Sequence, residues 1–321
     1  EGPLITPGRL TIGGLAKQKG YTTAAIGKWH LGRNWPIDEQ DRPHFTKFGS
    51  FERKGKNDTT KPVATTEDIA AWERTFSRPI TGGPTAVGFD TYFGTDVPNW
   101  PPFCFIRNEK TVGIPNSFLD TGLITTNQAS FQGPALKDWK LEEILPTIEK
   151  EAISFINEQA RAKKPFLMYM PLTAPHTPLA VTDEWKNKSG LDNTYADFVM
   201  QVDDVVGKVV KALKENGLEE NTLVVFTSDN GCGSYVGAKE LEAKGHLVSG
   251  GLRGYKGDIW EGGHRIPFII KLPGTVKPGT VNNDLVMQAD LMATFAEILG
   301  VKLAVNAGED SYSLLPLLKG N

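Results

Sequence analysis

Three strand-like runs, each breaking off into a cluster of polar residues, constrain this chain more than any other feature. Residues 21–26 lead into Gly27-Lys28-Trp29-His30, residues 166–170 precede Pro175-His176-Thr177-Pro178, and residues 223–227 lead into Ser228-Asp229-Asn230-Gly231. Each run is too short for a globular helix, and amphipathic helical stretches lie between them. Strands alternating with helices read as an α/β fold: a mostly parallel central sheet with helices on both faces. Sheets of that kind bind ligands outside the carboxyl ends of their strands, where the polar clusters fall here.

The helical stretches have the required period. Residues 141–160 place Ile144, Leu145, Ile148, Ala152, Phe155 and Ile156 on one face. Residues 195–215 do the same with Phe198, Val199, Val202, Val206, Val209 and Leu213. Helices are also predicted over 10–19 and 288–299, each followed by glycine, and a further strand over 267–272. Residues 33–83 are polar, rich in Lys, Thr, Asp and Pro, and read as a long surface excursion. Residues 98–126 are irregular, with scattered aromatics. With 321 residues, the whole of 1–321 reads as a single α/β domain.

Composition removes several classes. A hydrophobic fraction of 39% with 23% charged residues describes a globular chain, not a disordered one. A net charge of −3 argues against a nucleic-acid partner. No apolar run approaches the roughly 18 residues of a membrane span. Two cysteines, Cys104 and Cys232, exclude a disulfide scaffold and a cysteine-built zinc site.

The polar clusters carry the chemistry. Lys28 is a compact cation suited to a tetrahedral oxyanion, and His30, two residues on, can position or deprotonate a hydroxyl. Prolines on both sides restrict the backbone at His176, which suits a general acid at a leaving-group oxygen. Asp229 beside Asn230 offers oxygen ligands to a hard cation. Residues 246–267 hold six glycines with His246, Arg253 and Lys256, so tight turns bring positive charge near the backbone, and Asp258, Glu261 and Arg265 can brace the loop through ion pairs. Each cluster taken alone also suits an ordinary surface turn. Their joint occurrence, with four of the five histidines in or beside them, describes a hydrolase of a sulfate or phosphate ester.

At these residues the chain resembles the sulfatase family of the alkaline-phosphatase-like superfamily. Gly20-Tyr21-Thr22-Thr23-Ala24-Ala25-Ile26-Gly27-Lys28-Trp29-His30 is similar to a family signature. Pro175-His176-Thr177-Pro178, Ser228-Asp229-Asn230-Gly231 and the segment 252–267 resemble its later motifs in order, and 88–94 resembles a further landmark. The resemblance implies that Lys28 and Lys256 contact sulfate, that His30 hydrogen-bonds the nucleophile, and that His176 protonates the leaving group. It implies that Asp229 and Asn230 bind calcium, with magnesium as the other candidate. His246 and Asn99 are the candidate substrate-binding residues.

The nucleophile in this family is a formylglycine, made by a maturation enzyme from a cysteine or serine in a Cys-x-Pro-Ser-Arg motif. This chain departs there. Ile5-Thr6-Pro7-Gly8-Arg9 imitates only the second half of the motif, and no Asp-Asp pair stands upstream. The expectation is a chain truncated at both ends, inactive alone, from a secreted or periplasmic enzyme acting on a sulfated small molecule or glycan. The alternatives are a phosphonate or phosphate ester hydrolase of the same superfamily and a non-catalytic binder of sulfated glycans.

Overall fold

The computed structural model describes residues 2–46, 63–119, 123 and 131–320. The chain divides into two compact units, residues 1–180 and 181–321. Parts of the two irregular stretches, 47–62, 120–122 and 124–126, lie outside the described residues.

The first unit begins with α1 (Ile12–Lys17), capped by the Thr11 hydroxyl, which accepts from Gly14 N at 3.1 Å. Gly20 at φ +77° turns the chain into β1 (Thr22–Ile26). Helices α2 (Pro43–Thr46) and α3 (Thr66–Phe76) follow, then β2 (Thr91–Gly94). The short strands β3 (Ile106–Arg107), β4 (Lys110–Thr111), β5 (Ser117–Phe118) and β6 (Pro134–Ala135) come next. Helix α4 (Ile144–Ala162) and β7 (Phe166–Tyr169) complete the unit.

The main sheet has the order β4-β3-β2-β1-β7. Its heart is parallel: Ala24 of β1 lies opposite Thr91 of β2 on one side and Met168 of β7 on the other. Thr23 to Ile26 are all buried, so both faces of β1 are covered, as a parallel strand requires. α1 and α4 both pack against β1. All six apolar residues predicted for the inner face of α4 are buried, Ile148, Ala152 and Ile156 completely. β7 differs from the buried strand its apolar run predicts: its residues are half-buried and Tyr169 is 39% exposed. Among the described residues β7 pairs only with β1, which leaves one edge of it without a ladder.

Residues 33–83, predicted as surface, contribute several residues to the core among those described. Trp72 and Ala71 of α3 are fully buried, as is Asp68, and Arg33, Asp41, Phe76 and Ile80 are nearly so. A capping box starts α3: Asp68 N donates to the Thr65 hydroxyl and Thr65 N to the Asp68 carboxylate. Polar composition concealed this segment because its charges are paired. Arg74 bonds Asp41 through two nitrogens, and His44 Nδ1 lies 2.7 Å from Asp68.

The second unit contains α5 (Thr194–Glu215), β8 (Val224–Thr227), α6 (Ala238–Ala243), α7 (Glu261–His264), β9 (Phe268–Lys271), α8 (Asp290–Leu299) and α9 (Leu315–Leu318). Phe198, Val202, Val205, Ala212 and Leu213 form the buried face of α5; Val199, predicted to face inward, is 41% exposed. β8 and β9 pair antiparallel, Val225 opposite Ile270. The connection between them explains the direction, because Gly231 N donates to Gly263 O at 2.9 Å just beyond the strand ends. The chain therefore returns as a wide hairpin with a long insertion.

Candidate active site

In the first unit, three loops leave the carboxyl ends of the adjacent parallel strands β2, β1 and β7 and are tied together by backbone hydrogen bonds. Gly27 N donates to Phe93 O at 2.8 Å, Lys28 N to Pro171 O at 2.7 Å, Trp29 N to Thr95 O at 3.1 Å and His30 N to Asp96 O at 3.2 Å. The loop carrying Lys28 and His30 thus lies between the loop carrying Asn99 and the start of the segment leading to His176. Close packing is built in: a Cβ on Gly94 would stand 1.7 Å from Gly27 O, and one on Gly27 would stand 2.0 Å from Pro171 O. Only glycines permit that approach.

Lys28 is half-buried and His30 exposed. His30 has φ +48°, a left-handed conformation that is uncommon away from glycine. Its ring meets Trp100 edge to face at 6.2 Å, and Trp100 meets Phe131 at 5.3 Å. Asn99 is 6% exposed. His176 Nδ1 lies 2.8 Å from Thr177 O and 3.1 Å from the Thr177 hydroxyl. A carbonyl oxygen only accepts, so Nδ1 carries a proton in this contact.

Beneath this loop is a group of residues that the motifs did not single out. The buried Tyr92 hydroxyl lies 3.0 Å from Gly27 O and 2.8 Å from Thr95 O. The Arg33 guanidinium lies 4.4 Å from the centre of the Tyr92 ring and 3.3 Å from Asp96 Oδ1. Burial pushes the Tyr92 hydroxyl pKa well above its ordinary value, with Arg33 opposing, so the phenol stays protonated as a donor. Nothing local in the sequence marks Arg33, whose partners Tyr92 and Asp96 lie on another segment, or the contact of Tyr92 with Gly27.

In the second unit, Ser228-Asp229-Asn230-Gly231 follows β8 as predicted, with Asp229 exposed. Gln288 Nε2 donates to Ser228 O at 2.6 Å, and Asn230 Nδ2 donates to Gly231 O at 2.9 Å. Asn230 Oδ1 and the Asp229 carboxylate are hard oxygen donors, a donor set that suits calcium or magnesium. They supply part of a six- to eight-oxygen shell, and no cluster of three or more His, Cys, Asp or Glu occurs among the described residues.

Lys256 is exposed, and its backbone N donates to Cys232 O at 2.8 Å, so the glycine-rich loop lies against the segment after Asn230. Cβ atoms on Gly231, Gly262 and Gly263 would each meet a backbone oxygen within 2.3 Å. Arg265 pairs with Glu261 at 3.0 Å, and Arg253 lies 3.8 Å from the Trp260 ring centre. Asp258 braces the loop through a backbone bond instead, accepting from Tyr255 N at 2.8 Å. His246 is exposed just after α6. Burial raises the thiol pKa of Cys232 despite a hydrogen bond from Tyr195, so at neutral pH it is an unreactive thiol.

Polar loops at the carboxyl ends of parallel strands stand where an α/β sheet binds its ligands, and comparison with known proteins gives the family. The Sulfatase family model matches residues 3–301, so the chain belongs to the sulfatase family, with its alkaline-phosphatase-like α/β fold. It is 30% identical over 331 residues to a steryl-sulfatase of Mus musculus, covering 99% of this chain and 52% of that protein. It is 36% identical over 348 residues to arylsulfatase D of Homo sapiens, covering 97% and 53%. An N-acetylgalactosamine-6-O-sulfatase of Bacteroides thetaiotaomicron is 28% identical, with 99% and 61% covered. A solved structure from work on glycosaminoglycan metabolism by Bacteroides thetaiotaomicron superposes with a TM-score of 0.78 at 26% identity, covering 99% of this chain and 67% of that one. The chain therefore spans roughly half to three fifths of the length of these curated relatives.

Proposed function

We propose that this chain, read as a single domain over 1–321, is part of a sulfuric ester hydrolase of arylsulfatase type that cleaves a sulfate monoester. The observation that carries the reading is the convergence of the Lys28–His30, Asn99 and His176 loops at the carboxyl ends of β1, β2 and β7. Family membership and the resemblance to steryl-, aryl- and N-acetylgalactosamine sulfatases support it.

In this reading Lys28 and Lys256 neutralise charge on the sulfate oxygens as it grows during S–O cleavage. His30 orients the attacking hydroxyl, and His176, acting as the imidazolium with its Nδ1–H donating to Thr177 O, delivers its second proton from Nε2 to the leaving alcohol and is left neutral. Asp229 and Asn230 contribute ligands to Ca2+ or Mg2+. Asn99 and His246 contact the substrate. A divalent cation held by Asp229 and Asn230 would supply Lewis acidity at sulfate, and a formylglycine would supply the nucleophilic hydroxyl.

The substrate class is a sulfated small molecule or glycan. One structural relative, 25% identical with a TM-score of 0.62, was solved in complex with a neocarrahexaose. No helix among the described residues is long and apolar enough to cross a membrane. A secreted or periplasmic location and maturation by a formylglycine-generating enzyme complete the proposal.

The test is His176→Ala in the full-length protein, assayed with an aryl sulfate and a sulfated sugar. A hydrolase loses at least about 10²-fold in kcat when its general acid is removed, least with aryl leaving groups that need no proton. Unchanged turnover with the sugar sulfate refutes the role, and a variant that keeps its affinity while the wild type shows no turnover identifies a binder.

A further inference from the structure

We propose that Arg33 is a positioning residue: its buried guanidinium, held on Tyr92 and Asp96, fixes the backbone that presents Lys28 and His30. The proposal rests on the sulfate-ester reading for its consequence, and on geometry alone for the clamp.

Arg33 is 2% exposed. A buried guanidinium is costly unless its charge and donors are matched. Here Nε meets Asp96 Oδ1 at 3.3 Å, the cation lies 4.4 Å from the Tyr92 ring centre, and Nη2 has no hydrogen-bond partner among the described residues. Such a group is retained at a cost to the fold, and what it joins is specific. Asp96 O accepts from His30 N, Thr95 O accepts from Trp29 N, and the Tyr92 hydroxyl reaches both Gly27 O and Thr95 O. The Trp29 indole closes the loop on Gly32 O at 3.2 Å.

The loop 27–33 lies outside the strand ladder, yet it holds His30 in a left-handed backbone conformation. Arg33, Tyr92 and Asp96 supply the rigidity that a ladder would supply elsewhere. Gly83 packs directly against the guanidinium: a Cβ there would stand 2.5 Å from Arg33 Nη1, so the side chain would have to move.

Gly83→Ala therefore disturbs Arg33 while keeping every polar group, and Gly83 has φ −85°, which alanine adopts without strain. Arg33→Met removes the charge at similar length, and Arg33→Lys keeps the charge without the planar fork. Two quantities are read by NMR on the chain: exchange of the Trp29 and His30 backbone amides, and the affinity for inorganic sulfate.

In Arg33→Met and Gly83→Ala both amides should exchange at least about tenfold faster, while those of Ala24 and Ala25 in β1 keep their protection. Sulfate affinity should fall at least about fivefold in the same variants, with Arg33→Lys between them and the wild type. Unchanged exchange at Trp29 and His30 overturns the clamp. Loosening that extends equally to Ala24 and Ala25 shows a general core role and overturns it as well. Loosened amides with sulfate affinity unchanged overturn the positioning role. Loosened amides in a protein whose wild type binds no sulfate refute the sulfate reading and leave the clamp standing. If Arg33→Met does not fold, Gly83→Ala decides the matter alone.

Discussion

Gly94→Ala should be among the most damaging single-methyl additions in this protein. The new Cβ would stand 1.7 Å from Gly27 O and 2.5 Å from Gly27 C, both backbone atoms, so no rotamer change relieves the clash. The carboxyl ends of β1 and β2 must separate by more than an ångström. Overpacking of this kind costs about 1–3 kcal/mol. Separation also stretches the Gly27 N to Phe93 O bond, worth about 0.5–1.5 kcal/mol net. A total near 2–4 kcal/mol lowers the melting midpoint of a unit of this size by roughly 5–15 °C. The matched control is Gly207→Ala in α5, where a Cβ meets nothing within 4 Å and should stabilise the helix by up to about 1 kcal/mol. Thermal unfolding followed by circular dichroism compares the two. A Gly94→Ala melt within about 1 °C of wild type would show that β1 and β2 do not approach each other as described.

Three further outcomes follow from the same geometry. Under the proposed function, Lys256→Ala in the full-length protein should lose at least about 10²-fold in kcat if the ammonium stabilises the transition state; a loss under about threefold in steady-state kinetics removes Lys256 from the site. Acid should destabilise both units. Burial pushes the Asp90 carboxyl upward, but the Lys17 ammonium and the Thr23 N–H and hydroxyl outweigh it and leave its pKa below the ordinary 3.8; Asp197 is held below that value too, by Ser189 and Asn187, against the same burial. Stability from these groups is complete above the unfolded value and is lost as pH falls through the lower folded one, so urea midpoints should be flat above about pH 5 and drop below pH 4. Asp90→Asn and Asp197→Asn should flatten that drop, and a profile unaltered by both refutes the assignment. Calcium should bind this chain only weakly, since Asp229 and Asn230 provide a minority of a full shell. Calorimetry that finds submicromolar affinity would overturn that ligand count.

The candidate site is legible in sequence where its chemistry is local. Gly-Lys-Trp-His after β1 and Ser-Asp-Asn-Gly after β8 fall where the apolar runs end, because a buried strand must stop where charge begins. α4 was readable for the same reason: its six inward residues obey a 3.6-residue period that burial enforces directly. The glycines in these loops were visible as a composition, but not as the contacts that demand them. The polar composition of 33–83 misled, because an ion pair such as Arg74 with Asp41 makes charge compatible with the interior, and pairing is not written in any one segment.

What the sequence determined by itself is α1, α4, α5 and α8, the strands β1, β7, β8 and β9, and the polar clusters at the strand ends, since helix period, strand length and turn chemistry act over a few neighbouring residues. The tertiary structure alone decided which loops meet. It placed β1 between β2 and β7, turned β9 antiparallel to β8 through the return at Gly231 and Gly263, and buried Arg33 against Tyr92 and Asp96. Those outcomes depend on packing and pairing between residues about 30 to 140 positions apart, and no local preference encodes a partner at that distance.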